Sequence, residues 1–220
     1  LADGVVEYVG QPIAIILAET YDIALKAIKK ITVKYKVLKP VLTIKEALKR
    51  ESYTFPPQII ERGNPLQGIS EAKHKLKGKV SCGGQDHFYL EGQIALVQPG
   101  EDKDMLVYSS TQHPTEAQHG VANILGVPVN DITVEVRRMG GAFGGKESQS
   151  TIIAAAAALG SFKTGKPVKM RLRRDDDMVI TGKRHDFEFE YKVGCDDKGL
   201  IEGVDIIMAM RSGNVADLSS

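Results

Sequence analysis

Arg138-Met139-Gly140-Gly141-Ala142-Phe143-Gly144-Gly145-Lys146-Glu147 sets four glycines around one phenylalanine. The run before it, Ile132 to Arg137, alternates apolar and polar residues and predicts a strand; the run after it, Ser150 to Phe162, predicts a helix. Glycine suits a backbone that must turn sharply or approach a ligand closely. A glycine loop that leaves a strand and enters a helix is a cradle for an anion or a cofactor. The spacing Gly140-x-x-x-x-Gly145-Lys146 is that of a nucleotide-binding P-loop, but the next position, which needs a hydroxyl for magnesium, is Glu147. A carboxylate there repels phosphate. A dinucleotide-binding GxGxxG fails on spacing. Taken alone, the cluster reads equally well as a turn that lets a helix pack close to a strand.

Working outward, the alanine-rich helix stops at Thr164-Gly165-Lys166-Pro167, a glycine-then-proline signal. Val168, Met170 and Leu172 then predict a strand, as do Phe187, Phe189 and Tyr191, with a hairpin turn at Asp196-Asp197-Lys198-Gly199. Upstream, His74 to Cys82 predicts a strand broken by Gly83-Gly84 and resumed from Phe88 to Val97; Met105 to Ser109 predicts another. Thr111-Gln112-His113-Pro114 starts a helix with proline at its first position, ended by Gly126 and Pro128. Residues 51 to about 72 hold Pro56-Pro57, Gly63-Asn64-Pro65 and Gly68 with little periodicity and read as a linker. Before it, Val5–Val9, Pro12–Ala18 and Ile31–Val37 predict strands, with helices after Thr20 and over Thr43–Lys49. The expected fold class is α+β, mixed α/β.

The 220 residues carry a net charge of +1 with no block of one sign, which argues against a nucleic-acid or membrane-surface partner. The longest apolar run, Ile152 to Leu159, is too short to span a bilayer. Cys82 and Cys195 have no paired spacing and read as buried free thiols of a reducing, cytoplasmic setting. The start at Leu1 and the end at Ala-Asp-Leu-Ser-Ser read as those of a piece from a longer protein.

A second glycine site, Gly83-Gly84-Gln85-Asp86-His87-Phe88-Tyr89-Leu90-Glu91, interrupts a strand and is followed by an amide, an acid and an imidazole. By itself it reads as a bulge or a close backbone approach. Together and in this order, the two glycine segments closely resemble the molybdenum hydroxylase family, in particular the molybdopterin-binding subunit of its bacterial xanthine dehydrogenases. Further similar segments are Ser109-Ser110-Thr111-Gln112-His113, Leu125-Gly126-Val127-Pro128, Asp175-Asp176-Asp177-Met178, Ile180-Thr181-Gly182-Lys183-Arg184-His185 and Asp217-Leu218-Ser219. Gly10-Gln11-Pro12-Ile13-Ala14 and Pro40-Val41-Leu42-Thr43 resemble the second half of the family's small hammerhead α/β domain.

The resemblance implies three regions: part of the hammerhead-type domain over 1–55, a linker over 56–72, and the first part of the molybdopterin-binding domain over 73–220. It implies an oxidoreductase that hydroxylates hypoxanthine and xanthine to urate with water as oxygen source. A related aldehyde or N-heterocycle hydroxylase is the second expectation, and a P-loop-like NTPase a distant third. The implied cofactor is molybdenum-molybdopterin or its dinucleotide form, with iron–sulfur clusters and FAD on other domains or subunits of an oligomeric parent. Gln85 is implied beside the metal, hydrogen-bonding its oxygen ligand without adding charge. The Phe143 backbone is implied against the metal oxygen, where its N–H helps hold negative charge. Gly141, Gly144 and Gly145 are implied to let pterin and main chain approach. Glu147 matches the acid that meets the purine ring; read without the family, it is an acid favoured near a helix N-terminus. The family's general base lies beyond the C-terminus, so the fragment alone is expected to be inactive.

The remaining candidates carry less. His87 lacks a second ligand at metal spacing and reads as packing, and His113 and His119 are off the zinc-binding i+4 face. Arg137 and Arg138 reach either pterin phosphate or solvent. Arg173-Arg174-Asp175-Asp176-Asp177 reads as a turn crossed by ion pairs, and Cys195 shows no activation.

Overall fold

The computed structural model describes residues 1–219, in two compact units that interleave along the chain: Leu1–Lys36 with Asp86–Lys183, and Val37–Gln85 with the chain from Arg184 onward.

The first unit is built on a four-stranded mixed sheet. Its strands are β2 (Ile94–Pro99), β3 (Met105–Ser109), β4 (Ile132–Glu135) and β5 (Val168–Arg171), in the order β4-β3-β2-β5. β2 runs antiparallel to β3 and β5, while β3 and β4 are parallel. That parallel pair needs a crossover, supplied by α4 (Pro114–Leu125) and the short 3₁₀ turn Val129–Asp131. His113 caps α4, its Nδ1 accepting the Glu116 N–H at 3.2 Å, and Gly126 ends it in the left-handed region. α5 (Gln149–Thr164) packs with α4 on one face of the sheet. Alternate strand residues Ala95, Val97, Met105, Val107 and Ile132 point at Val121 and Ala122 of α4 and at Ile153, Ala154, Ala157 and Ala158 of α5. Burying each Val or Ile stabilises the unit by about 1.5–3 kcal/mol. The small residues of α5 let it sit deep, with a broad face from Ser150 to Ser161 buried and Ile152 and Phe162 exposed on the other side. The other face stays open; Ile94, Leu96, Tyr108, Glu135, Arg137 and Lys169 help line a groove of about 510 Å³ along it.

The second unit is a three-stranded antiparallel sheet, β1 (His74–Cys82), β6 (Phe187–Cys195) and β7 (Ile201–Met210), in the order β1-β6-β7. Its register puts Leu76, Val80, Phe187, Phe189, Tyr191, Val193, Val204, Ile206, Met208 and Met210 on one face. The other face carries ion pairs, Lys79 with Glu190 and Lys192 with Asp205. Against that charged side lies α3 (Pro65–Glu71), seated by Gly194 and Gly203: a Cβ on Gly203 would stand 2.4 Å from the Pro65 carbonyl oxygen. The apolar face is largely open, with Leu76 62%, Ile206 59% and Met208 64% exposed.

Several sequence-based expectations change. Val5–Val9, Pro12–Ala18 and Ile31–Val37 form no ladder with any described strand, although α1 (Tyr21–Ile28) and α2 (Ile44–Lys49) stand where expected, capped by Thr20 and Thr43. Alternation reports two unlike faces, but a strand also needs a neighbour for its N–H and C=O groups. The expected strand from Phe88 begins only at Ile94. The stretch read as a structureless linker contains α3, begun by Asn64 at the cap and Pro65 at the first position. The charge run at 173–177 opens α6 (Arg174–Ile180), with three aspartates in the first turn where the helix dipole favours them. Both thiols are free, but Cys82 is exposed and Cys195 half-buried, because both lie on the open three-stranded sheet. No helix of the described residues is long and apolar enough to cross a membrane.

Candidate active site

The glycine segment 140–147 is a loop between β4 and α5, and its shape is fixed largely by side chains from the short segment 89–93. Tyr89, Glu91 and Gln93 reach toward the loop from this bent segment, while Phe88 before them and Leu90 among them are exposed. Glu91 grips the loop's first residue twice. Its backbone N–H donates to the Gly140 carbonyl at 3.1 Å, and its Oε2 accepts the Gly140 N–H at 3.0 Å. Gln93 holds the far end, its Nε2 donating to the Gly145 carbonyl at 2.9 Å. The same Nε2 donates to the Tyr89 hydroxyl at 2.9 Å, which in turn donates to Asp177 Oδ1 at 2.6 Å; the Gln93 N–H donates to Asp177 Oδ2 at 2.7 Å. The first turn of α6 is thereby tied to the loop.

Gln112, just before α4, clamps the loop from another side. Its Oε1 accepts the N–H groups of Gly144 and Lys146, both at 3.1 Å, and its own N–H donates to the Lys146 carbonyl at 2.8 Å. The hydroxyls of Thr111 and Ser150 donate to that same carbonyl, at 3.1 and 3.0 Å. The Lys146 side chain is fully buried. Its Nζ donates to Ser110 Oγ at 2.7 Å and Glu91 Oε2 at 3.2 Å, and stands 4.7 Å from the centre of the Tyr89 ring. A lysine turned inward in this way is not presented to a ligand phosphate, so the P-loop spacing has no P-loop geometry behind it.

These surroundings move the titrating groups. Burial lowers the Lys146 ammonium against the opposing pull of Glu91. Burial pushes Glu91 up, but the Gly140 N–H, the Ser110 hydroxyl and Lys146 outweigh it and hold the carboxyl below its usual range. Burial, with the hydrogen bond to Asp177, pushes the Tyr89 hydroxyl up to about 12.

Between its anchors the loop leaves its apex open. Phe143 sits at φ +55°, a conformation that a bulky side chain rarely adopts. Its ring is 74% exposed, and its backbone N–H has no acceptor among the described residues. Gly144 follows at φ +89°, so the backbone turns outward over two consecutive left-handed residues. Glu147 is half-buried, and its carboxylate has no hydrogen bond or ion pair among the described residues. It precedes the α5 cap Ser148 and thus stands just outside the helix. The expected residues Gly141, Phe143, Gly144, Gly145 and Glu147 therefore fall together. Gly145 is the most closely packed: a Cβ there would meet the Tyr89 ring at 2.7 Å and the His87 ring at 2.8 Å, whereas one on Gly141 would meet the Phe143 ring at 3.2 Å and Tyr89 Cβ at 3.5 Å. His87 is accordingly a packing residue beside the loop. Gln85 belongs to the other unit, because the boundary between the units falls between Gln85 and Asp86. It is exposed at the end of β1, bridged through its backbone to Arg184 at 3.1 and 3.0 Å, with its amide unpaired among the described residues.

Arg137 pairs with Glu135 at 2.8 Å and stacks 4.8 Å from the Tyr108 ring centre, beside the open groove. Glu91, Ser110, Gln112 and Gln93 were not singled out by sequence reasoning, and Lys146 was read only as part of a P-loop spacing. The available signal was the spacing Tyr89-x-Glu91-x-Gln93, three hydrogen-bonding side chains at alternate positions.

A pterin fits this arrangement on the evidence of the loop itself. An exposed apex with a free N–H and a residue at positive φ, held by anchors on its inner side, offers main-chain donors to a flat polar group. Residues 50–220 match the family described as molybdopterin cofactor-binding domain. Xanthine dehydrogenase/oxidase of Gallus gallus is 43% identical over 219 residues, 99% of this chain and 16% of that protein. Aldehyde oxidase 2 of Cavia porcellus is as similar, 43% over 213 residues, 96% of this chain and 16% of that protein. The chain thus spans 16% of the length of these curated relatives. Among solved structures, quinoline 2-oxidoreductase from Pseudomonas putida 86 aligns with a TM-score of 0.83 at 24% identity, over 94% of this chain and 28% of that one. CO dehydrogenase from Oligotropha carboxidovorans aligns with a TM-score of 0.75 at 17% identity, over 86% and 26%. These last two likenesses show a shared fold.

Proposed function

Because the chain belongs to the molybdopterin cofactor-binding domain family, we propose that it forms one wall of the molybdenum site in a xanthine dehydrogenase-type oxidoreductase that hydroxylates purines with water as oxygen source. When bound, the molybdenum cofactor supplies the two-electron oxidising centre. The chain's own residues bind and orient around it. The Phe143 N–H, free and exposed, donates to an oxygen that gains negative charge in the transition state. The Glu147 carboxyl meets the purine ring and stabilises charge shifting onto it. The Gln85 amide hydrogen-bonds an oxygen of the cofactor without altering the net charge of the site. Gly144, where a Cβ would have only His87 Nε2 within 4 Å, keeps its side of the loop clear, and Gly141 lets the main chain turn at φ +91° beside the Phe143 ring.

Residues 73–220 belong in this reading to the molybdopterin-binding domain, 1–55 to a hammerhead-type domain and 56–72 to the link between them; the family match over 50–220 supports the first assignment. Iron–sulfur and FAD domains or subunits take the electrons on, in an oligomeric, cytoplasmic parent.

The observation that carries the purine reading is Glu147, a half-buried carboxylate without a partner beside the open loop apex. The second reading, aldehyde oxidation, draws on the equal similarity to aldehyde oxidase 2. In the intact protein, Glu147→Ala is expected to lower kcat/KM for xanthine by about 100-fold or more, the scale of one lost transition-state hydrogen bond, with a much smaller loss for aldehydes. Equal losses on both substrates refute the purine reading. Metal analysis of the intact protein without molybdenum refutes the proposal as a whole.

A further inference from the structure

The loop is held at both ends by a charge pair that touches neither the exposed apex nor Glu147. Glu91 Oε2 takes the N–H of Gly140, the hydroxyl of Ser110 and the ammonium of Lys146. Ser110 stands between the charges, accepting from Lys146 Nζ and donating to Glu91. Gly140 opens the glycine segment and Lys146 closes it, so the pair is a clasp across the base of a seven-residue loop with Phe143 at its middle. Taking an ammonium out of water is costly, and apolar side chains of similar volume fill such space at least as favourably. What apolar side chains do not supply is direction. A carboxylate that accepts the Gly140 N–H and the Lys146 ammonium together fixes the separation of the loop ends, and through it the tilt of the apex.

We propose that Glu91 and Lys146, bridged by Ser110, are positioning residues that set the direction of the Phe143 N–H and the stance of Glu147. The proposal deepens the function proposed above and rests on it for its catalytic consequence; its structural consequence stands by itself. Glu91 and Lys146 reach the reacting atoms only through the loop.

The test uses the intact protein, with and without cofactor, carrying Glu91→Gln, Lys146→Met, the two combined, or Ser110→Ala. Each charge-removing single variant leaves one partner uncompensated; the combined variant removes both charges. In cofactor-free protein, the Gly144 and Lys146 amides of the combined variant are expected to exchange hydrogen at least tenfold faster than in the parent, while β2 and β3 amides keep their rates. In loaded protein the same variant is expected to lose about 10- to 100-fold in kcat, the scale of a misplaced group, with KM changed less than threefold. Wild-type exchange at these two amides, or wild-type kcat, overturns the proposal. Should the combined variant fail to fold, Ser110→Ala decides, since it keeps both charges: at least threefold faster exchange at the Gly144 and Lys146 amides supports the clasp, and unchanged exchange overturns it. Faster loop exchange in a parent protein that contains no molybdenum supports the clasp and refutes the function instead.

Discussion

Phe143 shows what a single residue concedes to position. A bulky side chain at φ +55° is strained, at a cost of about 1–2 kcal/mol, and its ring, 74% exposed, recovers little of that by packing. Phe143→Gly removes the strain and adds freedom to the unfolded chain, and the two terms nearly cancel. The expected outcome is a melting temperature within a few degrees of the parent and a clear fall in turnover; a large loss of stability in thermal unfolding contradicts it. Tyr89 and Glu91 bracket the pH range in which the anchors hold. The Tyr89 hydroxyl is raised to about 12, so its contribution is complete below pH 10 and is lost as pH rises through about 12. The Glu91 carboxyl is lowered, so its contribution is complete above about pH 4.5 and is lost as pH falls through its folded-state value. Urea unfolding across pH is expected to show that Tyr89→Phe flattens the alkaline limb and Glu91→Gln the acid limb. Parallel limbs in parent and variants count against both.

At the scale of elements, glycine contacts decide how closely helix and sheet approach. Gly203→Ala places a methyl 2.4 Å from the Pro65 carbonyl oxygen and 2.8 Å from the Ile69 nitrogen. Both are backbone atoms that yield little, so a destabilisation of about 1–3 kcal/mol is expected in thermal unfolding. Gly83→Ala, which meets nothing within 4 Å, is expected to be neutral; equal effects from the two remove the packing argument. Elements were legible in the sequence where the chain carries its own punctuation. Thr20, Thr43 and Pro114 marked helix starts, Gly126 and Gly165 marked ends, and the alternation at Phe187–Tyr191 marked β6. Helix α6 was missed because Asp175, Asp176 and Asp177 were read as a charge run, when their place in a first turn is itself a start signal. The strands expected in the first 37 residues failed for a different reason: alternation describes one chain, and pairing requires two. The candidate site divides along the same line. The loop, Phe143 and Glu147 stand in one short segment and were readable. The Glu91–Lys146 pair joins residues 55 positions apart and becomes visible only once β2 and β3 have brought Ser110 between them.

On the scale of the whole molecule, the two units treat their sheets differently. One buries a face under α4 and α5, whereas the other leaves an apolar face of three strands largely open. Exposed apolar surface binds hydrophobic dyes. The 220-residue chain expressed alone is expected to enhance the fluorescence of such a dye, and Ile206→Lys combined with Met208→Lys to reduce the signal by more than half; an undiminished signal places the dye elsewhere. The anchored loop carries a thermodynamic consequence of its own. Fixing a backbone residue costs about 1–2 kcal/mol. Here Gly140, Gly144, Gly145 and Lys146 are each held by Glu91, Gln93 or Gln112 of the chain itself. That entropy is spent when the polypeptide folds, and the later capture of a pterin draws on a receptor already in shape. The affinity it reaches is therefore less diminished by ordering than that of a loop which must fold around its ligand.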